Sequence, residues 1–105
     1  MICEKLEKGA EVDMDIFEST AHTFKQLGHP LRLKIVVGLI RQPKCVRDIC
    51  GCLDMPQVVI SQQLAKLKAG GIIEGKRFGV EMHYMVIDLM AKMVVEHLTG
   101  KEVNK

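Results

Sequence analysis

The sequence predicts a mainly α-helical fold with one small β-hairpin, and three stretches carry that prediction. Leu53-Asp54-Met55-Pro56 sets an acidic residue and a proline between two apolar-periodic segments, which is how a tight turn ends one helix and starts another. Beyond Gln57, the apolar Ile60, Leu64 and Leu67 recur at i, i+4 and i+7 and so share one helical face, and Gly70-Gly71 closes the segment. Residues 72–77 and 82–86 then read as two strands turning at Phe78-Gly79-Val80-Glu81. Helix, turn, helix, double glycine and basic-flanked hairpin, in that order, make a winged helix-turn-helix, with the whole chain running α-α-α-α-β-β-α.

The remaining elements follow in chain order. Residues 1–12 show no clean period and read as a flexible acidic N-terminal arm. Over residues 13–27, Ile16, Phe17, Thr20, Phe24 and Leu27 fall on one broad side of a helix that Gly28 ends. Pro30 sits in the first turn of the next helix, to about residue 42, where its missing N–H costs nothing. Ile35, Val36, Val37, Leu39 and Ile40 require most of that helix to be buried, and Pro43 stops it. Residues 45–53 form the first helix of the helix-turn-helix. Asp88 is placed to cap a last helix over residues 89–98. Leu89, Met90, Met93, Val94, Val95 and Leu98 present apolar surface on too many sides for one small core to cover. A homodimer joined through the first and last helices is therefore expected. Residues 13–98 make one DNA-binding and dimerisation domain, with 99–105 as a tail.

Bulk properties exclude several classes. At 105 residues the chain supports one domain with a modest core, built from Leu, Ile, Val and seven Met because aromatics are only 4%. No window approaches the ~20 apolar residues of a membrane span, and Met1-Ile2-Cys3-Glu4 begins no signal peptide. A soluble cytoplasmic protein without a membrane partner is expected. The net charge of +2 is unevenly spread. Residues 1–18 carry six acids against two lysines, whereas residues 19–105 carry 13 basic and seven acidic side chains. The basic remainder suits phosphate. Four cysteines in a reducing compartment are free for metal binding, thiol chemistry or packing. No nucleophile–His pair, metal with a general base, or phosphate loop appears, so an enzyme is not expected.

The chemistry lies on the helix after the turn. At about 100° per residue, the face opposite Ile60, Leu64 and Leu67 holds Val58, Ser61, Gln62, Ala65, Lys66 and Ala69. No acid occurs between Asp54 and Glu74 to repel phosphate. Small residues allow close approach, glutamine can bond adenine through N6 and N7, and Val58 can meet a thymine methyl. This face fits the major groove of an operator in double-stranded DNA.

Residues 24–35, Phe-Lys-Gln-Leu-Gly-His-Pro-Leu-Arg-Leu-Lys-Ile, resemble the opening signature of the arsenical-resistance-repressor (ArsR/SmtB) family. Residues 45–50, Cys-Val-Arg-Asp-Ile-Cys, resemble its metal-box helix, and the stretch from Gln57 to Tyr84 resembles its recognition helix and wing. The resemblance covers roughly residues 14–98. It implies a homodimeric winged-helix repressor that leaves DNA when a metal, metalloid or other small signal is sensed, with no cofactor needed for DNA binding. Gln57, Ser61 and Gln62 match positions that touch DNA, Gln63 stands where the family often has histidine, and Lys76 and Arg77 match the base of the wing. Val58 and Val59 replace small hydroxyl-type residues, and Val80 replaces a frequent basic residue at the wing tip.

The signal turns on the cysteines. The family's arsenic and cadmium sensors carry Cys-Val-Cys in the metal-box helix; here Cys45 matches the first cysteine and Arg47 occupies the second. Cys50 and Cys52 lie further on, flanking Gly51. With Cys45 they are candidate ligands for As(III), Cd or Zn, and Cys3 on the arm is a further one. In a straight helix Cys45 and Cys52 stand about 10 Å apart along the axis with Cys50 pointing elsewhere, so a shared ion needs the helix to unwind at Gly51. The alternatives are a repressor answering to thiol oxidation or persulfides, with Cys45 and Cys50 or Cys52 as the reacting pair, or cysteines that only pack. The family's second metal site, on the last helix, is missing its histidine at Met90, and Lys101 and Asn104 replace the later ones. His22, His29, His83 and His97 are scattered and expected to be structural or surface residues.

Overall fold

The computed structural model describes residues 14–100. Among these residues, five helices and three strands are formed: α1 (Met14–Leu27), α2 (Pro30–Arg41), β1 (Lys44–Cys45), α3 (Val46–Leu53), α4 (Gln57–Ala69), β2 (Ile73–Phe78), β3 (Glu81–Val86) and α5 (Leu89–Thr99). Cys3 and the expected N-terminal arm lie outside the described residues. Among those residues, no helix is long and apolar enough to cross a membrane.

α2 is the spine. His29 caps it, its Nδ1 accepting from Leu31 N at 3.1 Å, and Pro30 occupies the first turn, where no N–H is needed. At the other end, Lys44 Nζ donates to Gly38 O at 2.8 Å and to Gln42 O at 3.3 Å, placing a cation on the orphan carbonyls. Ile35, Val36 and Leu39 are buried and meet Ile49 of α3, Ile60, Leu64 and Leu67 of α4, Val86 of β3 and Val95 of α5. Full burial of such side chains stabilises by roughly 1.5–3 kcal/mol each before conformational entropy is counted.

α4 ends in a Schellman motif. Gly71 N bonds Lys68 O at 3.1 Å and Ile72 N bonds Leu67 O at 3.0 Å, with Gly71 at φ 78°, a conformation that glycine adopts without a Cβ penalty. The buried Ile72 and Leu67 provide the apolar contact that accompanies this cap, and the chain leaves straight into the wing. α5 begins at Asp88, whose Oδ2 accepts from Ala91 N at 2.9 Å and from Thr23 Oγ1 at 3.2 Å. That carboxylate caps one helix and ties it to α1.

One element departs from the expectation. Residue 45 was expected inside the first helix of the helix-turn-helix, but α3 starts at Val46, and Lys44–Cys45 form a short edge strand on β3. The sheet therefore has three strands, ordered β1-β3-β2, with Lys44 opposite Tyr84 and Cys45 opposite His83. Two residues carry no period, so nothing local announces them as a strand; the partner strand does.

Apolar surface remains outside the core. On α1, Met14, Ile16, Phe17 and Phe24 are exposed; on α5, so are Leu89, Met93 and Leu98, with Ile87 just before it. α1 and α5 pack together, so these side chains belong to one end of the molecule.

Candidate nucleic-acid interface

The turn between α3 and α4 is set by Asp54. It adopts a left-handed conformation (φ 54°, ψ 50°), and its N–H bonds Cys50 O to finish α3. Aspartate tolerates this region better than most side chains, because its short polar side chain bonds locally. Pro56, extended at φ −62° and ψ 150°, then stands as N-cap of α4, and Ile60 N bonds its carbonyl at 3.1 Å.

α4 divides as its spacing predicts. Ile60, Leu64 and Leu67 are buried, while Gln57, Val58, Ser61, Gln62, Ala65, Lys66 and Ala69 are exposed. Val58 is 68% exposed, a large apolar side chain held in water on a helix whose Ile60, Leu64 and Leu67 are buried. Gln63 stands apart from that exposed face. Expected among the DNA contacts, it follows Ile60 by three positions and so faces inward; it is 9% exposed, with Oε1 accepting from Arg32 Nη1 at 3.4 Å.

The wing is β2 and β3 in register, with Phe78 opposite Glu81 around a two-residue turn. Gly79 takes φ 63° at the first turn position, where such a hairpin takes glycine. Val80 at the tip is 94% exposed. Lys76 and Arg77 are both exposed, but adjacent strand residues point to opposite faces, so they straddle the wing. Gly75 is required by close packing: a Cβ there would lie 2.9 Å from Met82 Sδ and 3.1 Å from Tyr84 Cε1. At the tip, the Phe78 and His83 rings meet edge to face at 5.1 Å. Arg47 Nη2, from α3, reaches Glu81 Oε2 at 2.8 Å, linking the helix-turn-helix to the wing. Both partners are exposed, so the pair contributes at most about 1 kcal/mol and serves mainly to orient.

The described cysteines do not form one site. Cys45 is buried, in a small cleft lined by Val46, Arg47, Glu81 and Met82. Cys50 is half-buried against the core. Cys52 is exposed, in a different cleft formed with Lys34, Gly38, Arg41 and Lys44. Among the described residues, no group of three His, Cys, Asp or Glu side chains is placed to hold a metal ion. The expected As(III), Cd or Zn set of Cys45, Cys50 and Cys52 therefore does not fit this conformation. Cys45 lies in β1, before α3, and α3 is a continuous helix that turns Cys50 and Cys52 to different sides.

Sequence reasoning missed one feature. His22 and Lys25 of α1, Arg32 of α2 and Lys66 of α4 converge on a cleft of about 390 Å³ at the flank of α4. Lys25, Arg32 and Lys66 each lay within a recognised motif, but α1 and the start of α2 are more than thirty residues from Lys66, and nothing local announces that they meet.

An exposed, acid-free helix after a tight turn, flanked by a basic wing, defines a winged helix-turn-helix. The description "Bacterial regulatory protein, arsR family" matches residues 29–74, from the α2 cap into the wing. The chain is 34% identical over 74 residues to the transcriptional repressor SmtB of Mycobacterium tuberculosis, covering 70% of this chain and 55% of SmtB, so it spans little more than half of that relative's length. It is 36% identical over 70 residues to the transcriptional repressor PagR of Bacillus anthracis, covering 66% of this chain and 70% of PagR. The PagR crystal structure superposes with a TM-score of 0.76 at 29% identity, over 82% of this chain and 99% of that one. The homodimeric winged helix-turn-helix DNA-binding domain of Mycobacterium bovis Mb0332 shares the fold, with a TM-score of 0.71 at 22% identity over 88% and 87% of the two chains. The protein belongs to the arsR family of bacterial regulatory proteins.

Proposed function

We propose that the protein is a cytoplasmic, sequence-specific transcriptional repressor that binds operator DNA as a homodimer. One observation carries this reading: the open face of α4 presents Gln57, Val58, Ser61, Gln62 and Lys66 to solvent without an acid, between a basic wing and a basic cleft. Gln62 supports adenine readout, Val58 a thymine methyl contact, and Lys66, Lys76 and Arg77 phosphate contacts. The second copy covers the apolar end formed by α1 and α5, which sets two α4 helices to enter grooves about 34 Å apart. Fluorescence anisotropy on duplex DNA from the protein's own promoter region tests it. Gln62→Ala is expected to weaken binding by about 1–3 kcal/mol and to relax selectivity at one base pair. Unchanged affinity and selectivity would remove α4 as the reading element.

A second reading concerns the signal. Arsenite, cadmium or zinc shared by Cys45, Cys50 and Cys52 is not supported by thiols that face separate surroundings. Regulation through a single thiol is favoured by Cys52, which is exposed among Lys34, Arg41 and Lys44, the electropositive setting in which thiols react. α3 packs on α4, so a group added at Cys52 acts one helix away from the DNA-reading face. The check is whether alkylation confined to Cys52 changes operator affinity; if it does not, this thiol carries no signal.

A further inference from the structure

We propose that the cleft between α1, α2 and α4 seats a DNA backbone phosphate, held by Lys25, Arg32 and Lys66; this rests on the DNA-binding reading and extends the interface beyond α4 and the wing. Cations from three elements converge there, and none of the residues lining the cleft is acidic. Among the described residues, no ion pair engages Lys25, Arg32 or Lys66. Like charges gathered without a counterion repel, and an anion placed between them reverses the sign of the interaction.

The geometry is built rather than accidental. Arg32 Nε donates to Gln26 O at 2.7 Å and Nη1 to Gln63 Oε1 at 3.4 Å, which fixes the guanidinium plane and leaves three of its five N–H groups for a ligand. This accounts for the buried Gln63, whose amide positions Arg32. His22 Nε2 lies 2.8 Å from Gly70 O; a carbonyl only accepts, so that nitrogen donates, and the bond pins α1 to the end of α4. Gln26 of α1 lies directly over the end of α4, its Cδ 2.8 Å from where a Cβ on Gly70 would stand. Lys66 sits one turn beyond Gln62 and borders both the reading face and the cleft, making the two surfaces continuous. That continuity selects a phosphate of the bound duplex as the occupant.

The test uses the full chain and the salt dependence of its binding to two duplexes of about 30 base pairs, long enough for two half-sites a helical turn apart. One comes from its own promoter region and one has an unrelated sequence. A phosphate contact is blind to sequence, so Lys25→Gln is expected to reduce the steepness of log affinity against log salt by about 0.9 per protomer, about 1.8 for the dimer, on both duplexes. Lys92→Gln, on the exposed side of α5, is expected to leave the slope unchanged. Wild-type binding with an unaltered slope for a folded Lys25→Gln variant would overturn the phosphate seat and leave the DNA reading standing. Cleft amide resonances that shift with millimolar inorganic phosphate, alongside that unaltered slope, would assign the cleft to a free anion and equally overturn it. A wild-type chain that binds neither duplex would overturn the DNA reading and the seat together.

Discussion

At the scale of single residues, three cysteines show how much surroundings matter. Cys45 is 5% exposed, beneath the wing; Cys50 is part of the packed side of α3; Cys52 stands in water among cations. Access and nearby positive charge both speed attack by a thiol, and among the described cysteines Cys52 combines them. With trace iodoacetamide under native conditions, Cys52 is expected to be alkylated at least about tenfold faster than Cys45, read by peptide mass spectrometry. Equal rates would mean that β1 opens readily from β3 and exposes Cys45. Asp54 illustrates a different dependence: its role is backbone shape, set by its left-handed φ, and no contact to DNA is required of it.

At the scale of elements, the wing contains a close approach of β3 side chains to β2 at Gly75. Gly75 has Met82 and Tyr84 directly over it, so any side chain there must displace Sδ or an aromatic carbon. Gly75→Val is expected to cost about 1–3 kcal/mol, as overpacking does, and to loosen β2 and β3 while α2 and α4 keep their cores. Amide hydrogen exchange reads this directly: faster exchange confined to residues 73–86 is the expected result. Uniform acceleration across α2 would show instead that the wing and the helices unfold as one unit.

At the scale of the whole molecule, the proposed homodimer rests on the apolar end formed by α1 and α5. Leu89 is 69% exposed and Met93 54%, with Phe17 and Phe24 on the neighbouring helix. Adjacent apolar side chains of this number favour a partner, and the proposed second copy supplies it. Met93→Glu is expected to shift the sedimentation mass from dimer to monomer and, with it, to remove operator binding, because one α4 reads only one half-site. A wild-type monomer that binds its operator tightly would show that this end serves another partner.

Much of the protein was legible in its sequence. The periodicity of Ile60, Leu64 and Leu67, the Asp54-Met55-Pro56 turn, the double glycine and the Asp88 cap are local signals, and each produced the element expected of it because helix faces, turns and caps depend on residues within one or two turns. The exposed face of α4 followed from the same arithmetic. What depended on residues far apart in the chain did not. Lys44–Cys45 became a strand only because β3 lay beside them, and the inward-facing Gln63 found its polar partner in Arg32 of another helix. The cysteines, close in sequence, were separated because Cys45 belongs to β1 while Cys50 and Cys52 stand on different sides of α3. The cations of the basic cleft, remote in sequence, were gathered because α1, α2 and α4 meet. Periodicity is a property of one element, whereas a site is a property of how several elements pack, and only the tertiary structure contains that.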